Sequence, residues 1–147
     1  MNYYREVKVS TGGSFEVSDI TDTIRAVVGE SGVLEGMAVI TSLHTTCALS
    51  VNENEARLFE DISDFFSTIA PPDGSYKHND LHLRVNIPHD EPENAHAHLV
   101  AMMLGNSEIV TVHHRALVLG RYQSILLLEM DGPRERTLAV QVLGENQ

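Results

Sequence analysis

The sequence predicts an α+β domain dominated by antiparallel strands. One observation is the element order, β, α, β, α, α and then a run of strands, which is not the repeated βαβ of a parallel sheet. A second is the strand-like alternation of residues 3–9 at one end and the four short apolar segments that fill the last third of the chain. A third is the pair of glycine- and proline-rich breaks that separate the helical stretches from their neighbours.

In order, residues 3–9 read as a strand with Val7 and Val9 on one face. Thr11-Gly12-Gly13 is a turn, after which Phe15 and Val17 resume the sheet. Ser18-Asp19 starts a helix carrying Ile20, Ile24, Val27 and Val28 at helical spacing, and glycines at 29 and 32 end it. Residues 37–43 are almost wholly apolar and read as a strand buried on both faces. Asn52 is placed to cap the next helix, with Glu55 reaching back as in a capping box. That helix runs to about residue 68 with an apolar stripe of Leu58, Ile62, Phe65 and Phe66, and Ala70-Pro71-Pro72-Asp73-Gly74 stops it. Residues 70–92 form an ordered connection with a short strand expected around 83–87. Asn94 opens a third helix with Ala95, Leu99, Met102 and Met103 as its apolar face. Strands follow over 108–113, 117–119, 124–129 and 137–143, the last two expected as a hairpin about the turn at 131–134.

Composition limits the functions available. A chain of 147 residues, 42% hydrophobic and 21% charged, is one domain (1–147) of an ordinary soluble kind. A formal charge of −11 argues against a nucleic-acid or anionic-membrane surface, though a local arginine cluster can still hold one small anion. No apolar run approaches the roughly 20 residues of a membrane span. The first residues lack the apolar region of a secretion signal, and a single cysteine excludes an internal disulfide framework, so the cytoplasm is the expected compartment. Eight histidines is the compositional oddity, and five of them fall between His78 and His98.

The chemistry-bearing stretch is Leu43-His44-Thr45-Thr46-Cys47-Ala48-Leu49-Ser50-Val51-Asn52-Glu53-Asn54, polar groups packed between a strand and a helix start. His44 ends the strand, His78 lies in Tyr76-Lys77-His78-Asn79-Asp80, and His98 lies one turn into the third helix. Neutral imidazoles are the commonest ligands of zinc-like metals, and a catalytic zinc takes three protein ligands with one open position. His96 and His98 diverge by about 200° on a helix, so one of them belongs to a site, and His98 borders the apolar face. Surface or capping roles for each histidine are the alternative, since no tight metal-ligand spacing is present. His113-His114 sits on a strand, which sends the two rings to opposite faces. Arg134 and Arg136 flank a strand entry and make a plausible fork for a phosphate or carboxylate, or else a solvated turn paired with Asp131 or Glu135. Cys47, among apolar neighbours, reads as a buried residue rather than a nucleophile.

Taken together these motifs resemble the YjbQ family, often labelled secondary thiamine-phosphate synthase. The resemblance rests on His44-Thr45-Thr46, Ser50-Val51-Asn52-Glu53-Asn54, Tyr76-Lys77-His78-Asn79-Asp80 and Asn94-Ala95-His96-Ala97-His98-Leu99. It continues through Leu104-Gly105, Gly120-Arg121-Tyr122-Gln123 and Glu129-Met130-Asp131-Gly132-Pro133-Arg134, nearly the whole chain. It implies a compact YjbQ-like α+β domain with an extensive, largely antiparallel β-sandwich and about three helices, assembled as a homotrimer. It also implies a metal site at His44, His78 and His98, where family members share histidines. Glu53 or Asp80 then serves as proton acceptor or orienting group, and Asn52, Arg134 and Arg136 bind a small anionic or phosphorylated ligand. The implied activity joins a hydroxymethylpyrimidine diphosphate to a thiazole phosphate and releases pyrophosphate. Three imidazoles suit a zinc-like divalent metal better than Mg²⁺. For that reason a metal-dependent hydrolase of a phosphorylated or carbonyl substrate, or a non-catalytic metal- or ligand-binding trimer, stands as the alternative. The chain departs from the family's Gly-Thr-Trp-Gln at Gly120-Arg121-Tyr122-Gln123.

Overall fold

A computed structural model describes residues 1–146. In chain order the elements are β1 (Asn2–Ser10), β2 (Glu16–Asp19), α1 (Thr21–Ser31), β3 (Glu35–Ser42), β4 (Cys47–Asn52) and α2 (Ala56–Ile69), followed by two short 3-10 turns. Then come α3 (Ala95–Leu104), β5 (Ser107–His113), β6 (Ala116–Leu117), β7 (Ser124–Glu129) and β8 (Glu135–Glu145). The strands form two antiparallel sheets, one ordered β1-β8-β3-β5-β6 and the other β2-β7-β4. The fold is α+β.

The period of two along each strand explains the layering. In β8, Leu138, Val140 and Val142 point inward, and in β7 Ile125 and Leu127 meet them in the main core with Ile24, Val27 and Val28 of α1. The alternate residues of β7, Leu126 and Leu128, point the other way into a second core with Ala97 and Val100 of α3 and Phe59, Ile62 and Phe66 of α2. The three-stranded sheet is therefore the middle layer, with β7 and the first half of β4 buried on both faces. Each such side chain contributes roughly 1.5–3 kcal/mol by leaving water.

Several expectations need correction. Residues 37–43 were read as a strand covered on both faces, yet β3 buries only Ala38, Ile40 and Ser42, while Met37 is exposed. An apolar run does not say whether a second layer lies behind it. The final two strands are not a hairpin: β7 and β8 belong to different sheets, and the chain crosses between layers at residues 130–134. Gly132 sits at that crossing, where a Cβ would collide with the Gly13 carbonyl and the Glu129 side chain. No strand forms at 83–87. Lys77–Asn79 and Leu81–Leu83 are 3-10 turns, and Leu83 and Val85 are exposed.

The helix starts also differ. Asn52 does not cap α2, because β4 extends through it and its side chain accepts from the adjacent Glu53 N–H. Glu55 is the cap, accepting from Arg57 N–H at 3.0 Å and Leu58 N–H at 2.6 Å. At α3 the cap comes from a distance, Asn79 Oδ1 accepting from Ala95 N–H at 3.1 Å. The buried face of α3 is Ala95, Ala97 and Val100, with Leu99, Met102 and Met103 exposed. Small residues let the helix lie close to β4. His113 ends β5, and His114 is already in the turn with φ +50, so the two rings do not diverge but lie 3.9 Å apart.

Candidate functional site

The inward row that builds the main core ends in a charged layer. Glu129 continues Ile125 and Leu127 in phase, and Arg136 precedes Leu138 and Val140 in phase, so the same alternation buries both. Glu129 is 0% and Arg136 2% exposed. Arg136 Nε donates to Glu129 Oε1 at 2.8 Å, and Nη2 donates to Glu129 Oε2 and to Thr46 Oγ1, the latter at 2.9 Å. Thr11 Oγ1 donates to Glu129 Oε1 at 2.7 Å. Burial of an ion pair is tolerable only with such extra hydrogen bonds. Arg136 Nη1 makes no protein hydrogen bond among the described residues, and Arg136 lines a cleft of about 500 Å³ that opens above this layer.

His44 and His98 stand on that cleft, with Thr46, Asp131, Arg134 and the 88–92 loop around them, and a second cleft of about 430 Å³ also borders both rings. His44 follows β3, and its Nε2 accepts the Thr137 N–H at 2.8 Å. A neutral ring accepting at Nε2 carries its proton on Nδ1 and is a donor there. Burial, then the Arg136 charge, push the His44 pKa below its ordinary value, which keeps the ring neutral. His98, on α3, is also pushed down, by burial and by the neighbouring His78.

His78 meets His98 edge to face, with ring centroids 4.7 Å apart. The contact is set by the loop: Asn79 caps α3, Arg84 Nη1 donates to the His78 carbonyl, and Arg84 pairs with Glu91 at 2.9 Å. His78 Nε2 is buried and has no hydrogen-bond partner among the described residues. Such an atom calls for an explanation, an ion among the possibilities. The three predicted histidines thus gather around one region. They do not form a tight three-ligand set within the chain: among the described residues only Glu35, His113 and His114 bring three ligand atoms within 4.8 Å of one another.

The remaining predicted residues divide. Arg134 lines the cleft but is held by Asp131, with Nε to the Asp131 carbonyl at 2.8 Å and Nη2 to Oδ2 at 2.9 Å. Asp131 is shared with Asn94, whose Nδ2 donates to Oδ2 at 2.7 Å. Asp80 is half-buried between the 3-10 turns, and its carboxylate makes no hydrogen bond among the described residues. Asn52 and Glu53 are exposed at the far end of β4, about 17 Å along the strand from its start beside His44. They do not reach the cleft within this chain. Beyond them, Asn54 Nδ2 donates to Asp19 Oδ2 ahead of α1 at 3.0 Å. Cys47 is buried against Ser42, Sγ to Oγ 3.1 Å, and burial pushes its thiol pKa up. His96 leaves the other side of α3 into a separate cavity of about 300 Å³ beside Phe15 and Phe66.

Sequence reasoning missed Glu129 as a partner and Thr46 and Thr11 as its support. The signal was available, since a charged residue in phase with a buried row must be paired.

Comparison with known proteins agrees with this architecture. The family profile described as UPF0047 protein YjbQ-like matches residues 5–145. A UPF0047 protein of Methanothermobacter thermautotrophicus is 37% identical, covering 97% of this chain and 93% of its own. One of Archaeoglobus fulgidus is 39% identical, covering 94% and 99%. The crystal structure of a YbjQ-like protein of unknown function from Sulfolobus solfataricus is 40% identical, with a TM-score of 0.88 and 99% of each chain covered.

Proposed function

The chain belongs to the UPF0047 YjbQ-like family; on that premise we propose that it is an enzyme for a small phosphorylated substrate, with a divalent metal held by His78 and His98. The observation that carries this reading is the buried, unpartnered Nε2 of His78 beside the His98 ring. The donor set is imidazole, which suits a zinc-like cation. When bound, that metal supplies charge stabilisation for a departing phosphate.

The chain's own residues do the rest. Arg136 Nη1, the half-exposed Arg134 and His44 Nδ1–H are donors available to a phosphate in the cleft. Glu129 and Thr46 fix the Arg136 fork before substrate arrives, so little reorganisation is left to the reaction. A transfer of the thiamine-phosphate synthase kind fits such a donor-rich cleft. The carbon–oxygen bond of a pyrimidine diphosphate breaks and pyrophosphate leaves with the electron pair. The thiazole nitrogen lone pair forms the new carbon–nitrogen bond, and no proton has to be removed from it. This matches the position of Glu53 away from the cleft and the engagement of Glu91 and Asp131 in ion pairs. A metal-dependent hydrolase needs a free base, for which Asp90 on the cleft, unpaired among the described residues, is available, and hydrolysis stands as the second reading.

The test is metal content of untagged, chelator-free protein by elemental mass spectrometry, with turnover of the two phosphates followed as pyrophosphate release. It is run in a His113→Gln, His114→Gln background so that only the cleft is counted. About one metal per chain, lost together with turnover in His78→Ala and His98→Ala, is the expected result. A folded, metal-free parent, or turnover unchanged in both variants, overturns the reading.

A further inference from the structure

A second group of ligand-bearing side chains lies on the opposite kind of surface. The β3–β5 register sets Glu35 directly across from His113, so their side chains leave the same face of the sheet as near neighbours. Past His113 the chain makes a two-residue turn into β6, with φ +50 at His114 and +63 at Arg115. Two left-handed residues in succession are the type I′ geometry, which matches the sheet twist and turns the chain tightly back. His114 is thereby brought over the same carboxylate. His113 Nδ1 lies 2.7 Å from Glu35 Oε2, His114 Nδ1 lies 3.4 Å from Oε1, and the His114 N–H donates to Oε1 at 3.1 Å. On its other side Glu35 faces Glu145 in β8, a further carboxylate in the row.

We propose that Glu35, His113 and His114 form a binding site for a divalent transition cation of the zinc class, separate from the cleft. The three ligand atoms already lie within 4.8 Å of one another. Metal–ligand bonds of about 2.0–2.2 Å in a tetrahedron set ligand atoms roughly 3.3 Å apart. The two Nδ1–carboxylate separations run to different oxygens and are hydrogen-bond contacts without an ion, so an ion enters as a ring proton leaves Nδ1 and the side chains rotate toward it. Each neutral ring frees its Nδ1 lone pair by carrying its proton on Nε2, and because both rings are exposed that N–H can donate to water. Two imidazoles and one carboxylate leave a fourth position open to solvent, and such a set discriminates against Mg²⁺ and Ca²⁺, which require more oxygen ligands.

The experiment is calorimetric titration of the full chain with Zn²⁺. The parent, a Glu35→Gln, His113→Gln variant and a His78→Ala, His98→Ala variant are compared. One equivalent lost in the first variant and retained in the second is expected, and this result stands whether or not the cleft takes a metal. Equal stoichiometry in the parent and the Glu35→Gln, His113→Gln variant overturns the proposal. Proton NMR of the unmodified chain gives an independent check that depends on no variant. Substoichiometric Cu²⁺ broadens the His113 and His114 ring resonances if the site exists, and rings left sharp at one equivalent exclude it.

Discussion

The inner cleft and the outer turn each place two imidazoles side by side, and they are built in opposite ways. His78 and His98 come from a loop and a helix, joined by the Asn79 cap and the Arg84–Glu91 pair, with ring centroids 4.7 Å apart. His113 and His114 are sequence neighbours, 3.9 Å apart because a tight turn folds one back over the other. The inner rings are half-buried, and one has a nitrogen with no partner. The outer rings are exposed and share a carboxylate. Residue type is the same in both, so the differences in chemistry come from what each neighbourhood had to fold. The inner pair rests on buried charge and long-range caps. The outer pair rests on one register and one turn.

That contrast predicts graded costs. Glu129→Gln strands the Arg136 guanidinium in the core and is the most damaging change. We expect a loss of about 3–5 kcal/mol, or on the order of 10 °C in Tm, by thermal unfolding. A change under ~1 kcal/mol would mean that the pair does not support the cleft. Asn79→Ala removes the distant cap of α3 and costs about 1 kcal/mol in denaturant unfolding, with the His78–His98 contact loosened. If His78 and His98 ring resonances are unmoved in that variant, the cap does not set the contact.

Smaller again is a pH effect confined to the cleft. Burial lowers the folded-state pKa of His44 and of His98 from 6.5, so the unfolded chain binds more protons at these rings. Their contribution to stability is complete above the unfolded value and declines as pH falls through 6.5 toward the lower folded values. Urea midpoints should therefore drop as pH falls below about 6.5, and His44→Gln or His98→Gln should each flatten that drop. An unchanged slope in both variants would assign it elsewhere. The smallest effect belongs to the outer turn, where Glu35→Gln should leave Tm unchanged at neutral pH, since exposed ion pairs contribute little. A clear fall in Tm would show the two regions to be less different than their burial suggests.

The sequence made legible whatever depends on local period. The strands at 124–129 and 108–113 and α1 with its end at Gly32 followed from spacing. It failed where a second layer decides. The long side chains at 99, 102 and 103 were taken as the core face of α3 because they are apolar, but its packed face is mainly alanine and valine, with Leu104 at its end. The stretch at 131–134 looked like a hairpin turn because proline and glycine mark a turn without saying which sheet comes next. Arg136 looked like a free anion fork, since its partnership with Glu129 depends on two sheets meeting. Asn52 and Glu53 were grouped with His44 by proximity in sequence, although β4 carries them to its other end.

The position of β8 has a consequence for synthesis. It lies between β1 and β3 in the five-stranded sheet, yet it emerges from the ribosome after both. Until it does, the nascent chain holds two strands, each with an open hydrogen-bonding edge facing a missing centre. Such edges are templates for pairing with other chains. Translation that pauses before residue 135 should therefore yield a species bound by chaperones or lost to aggregates, whereas release of β8 closes both edges in one step.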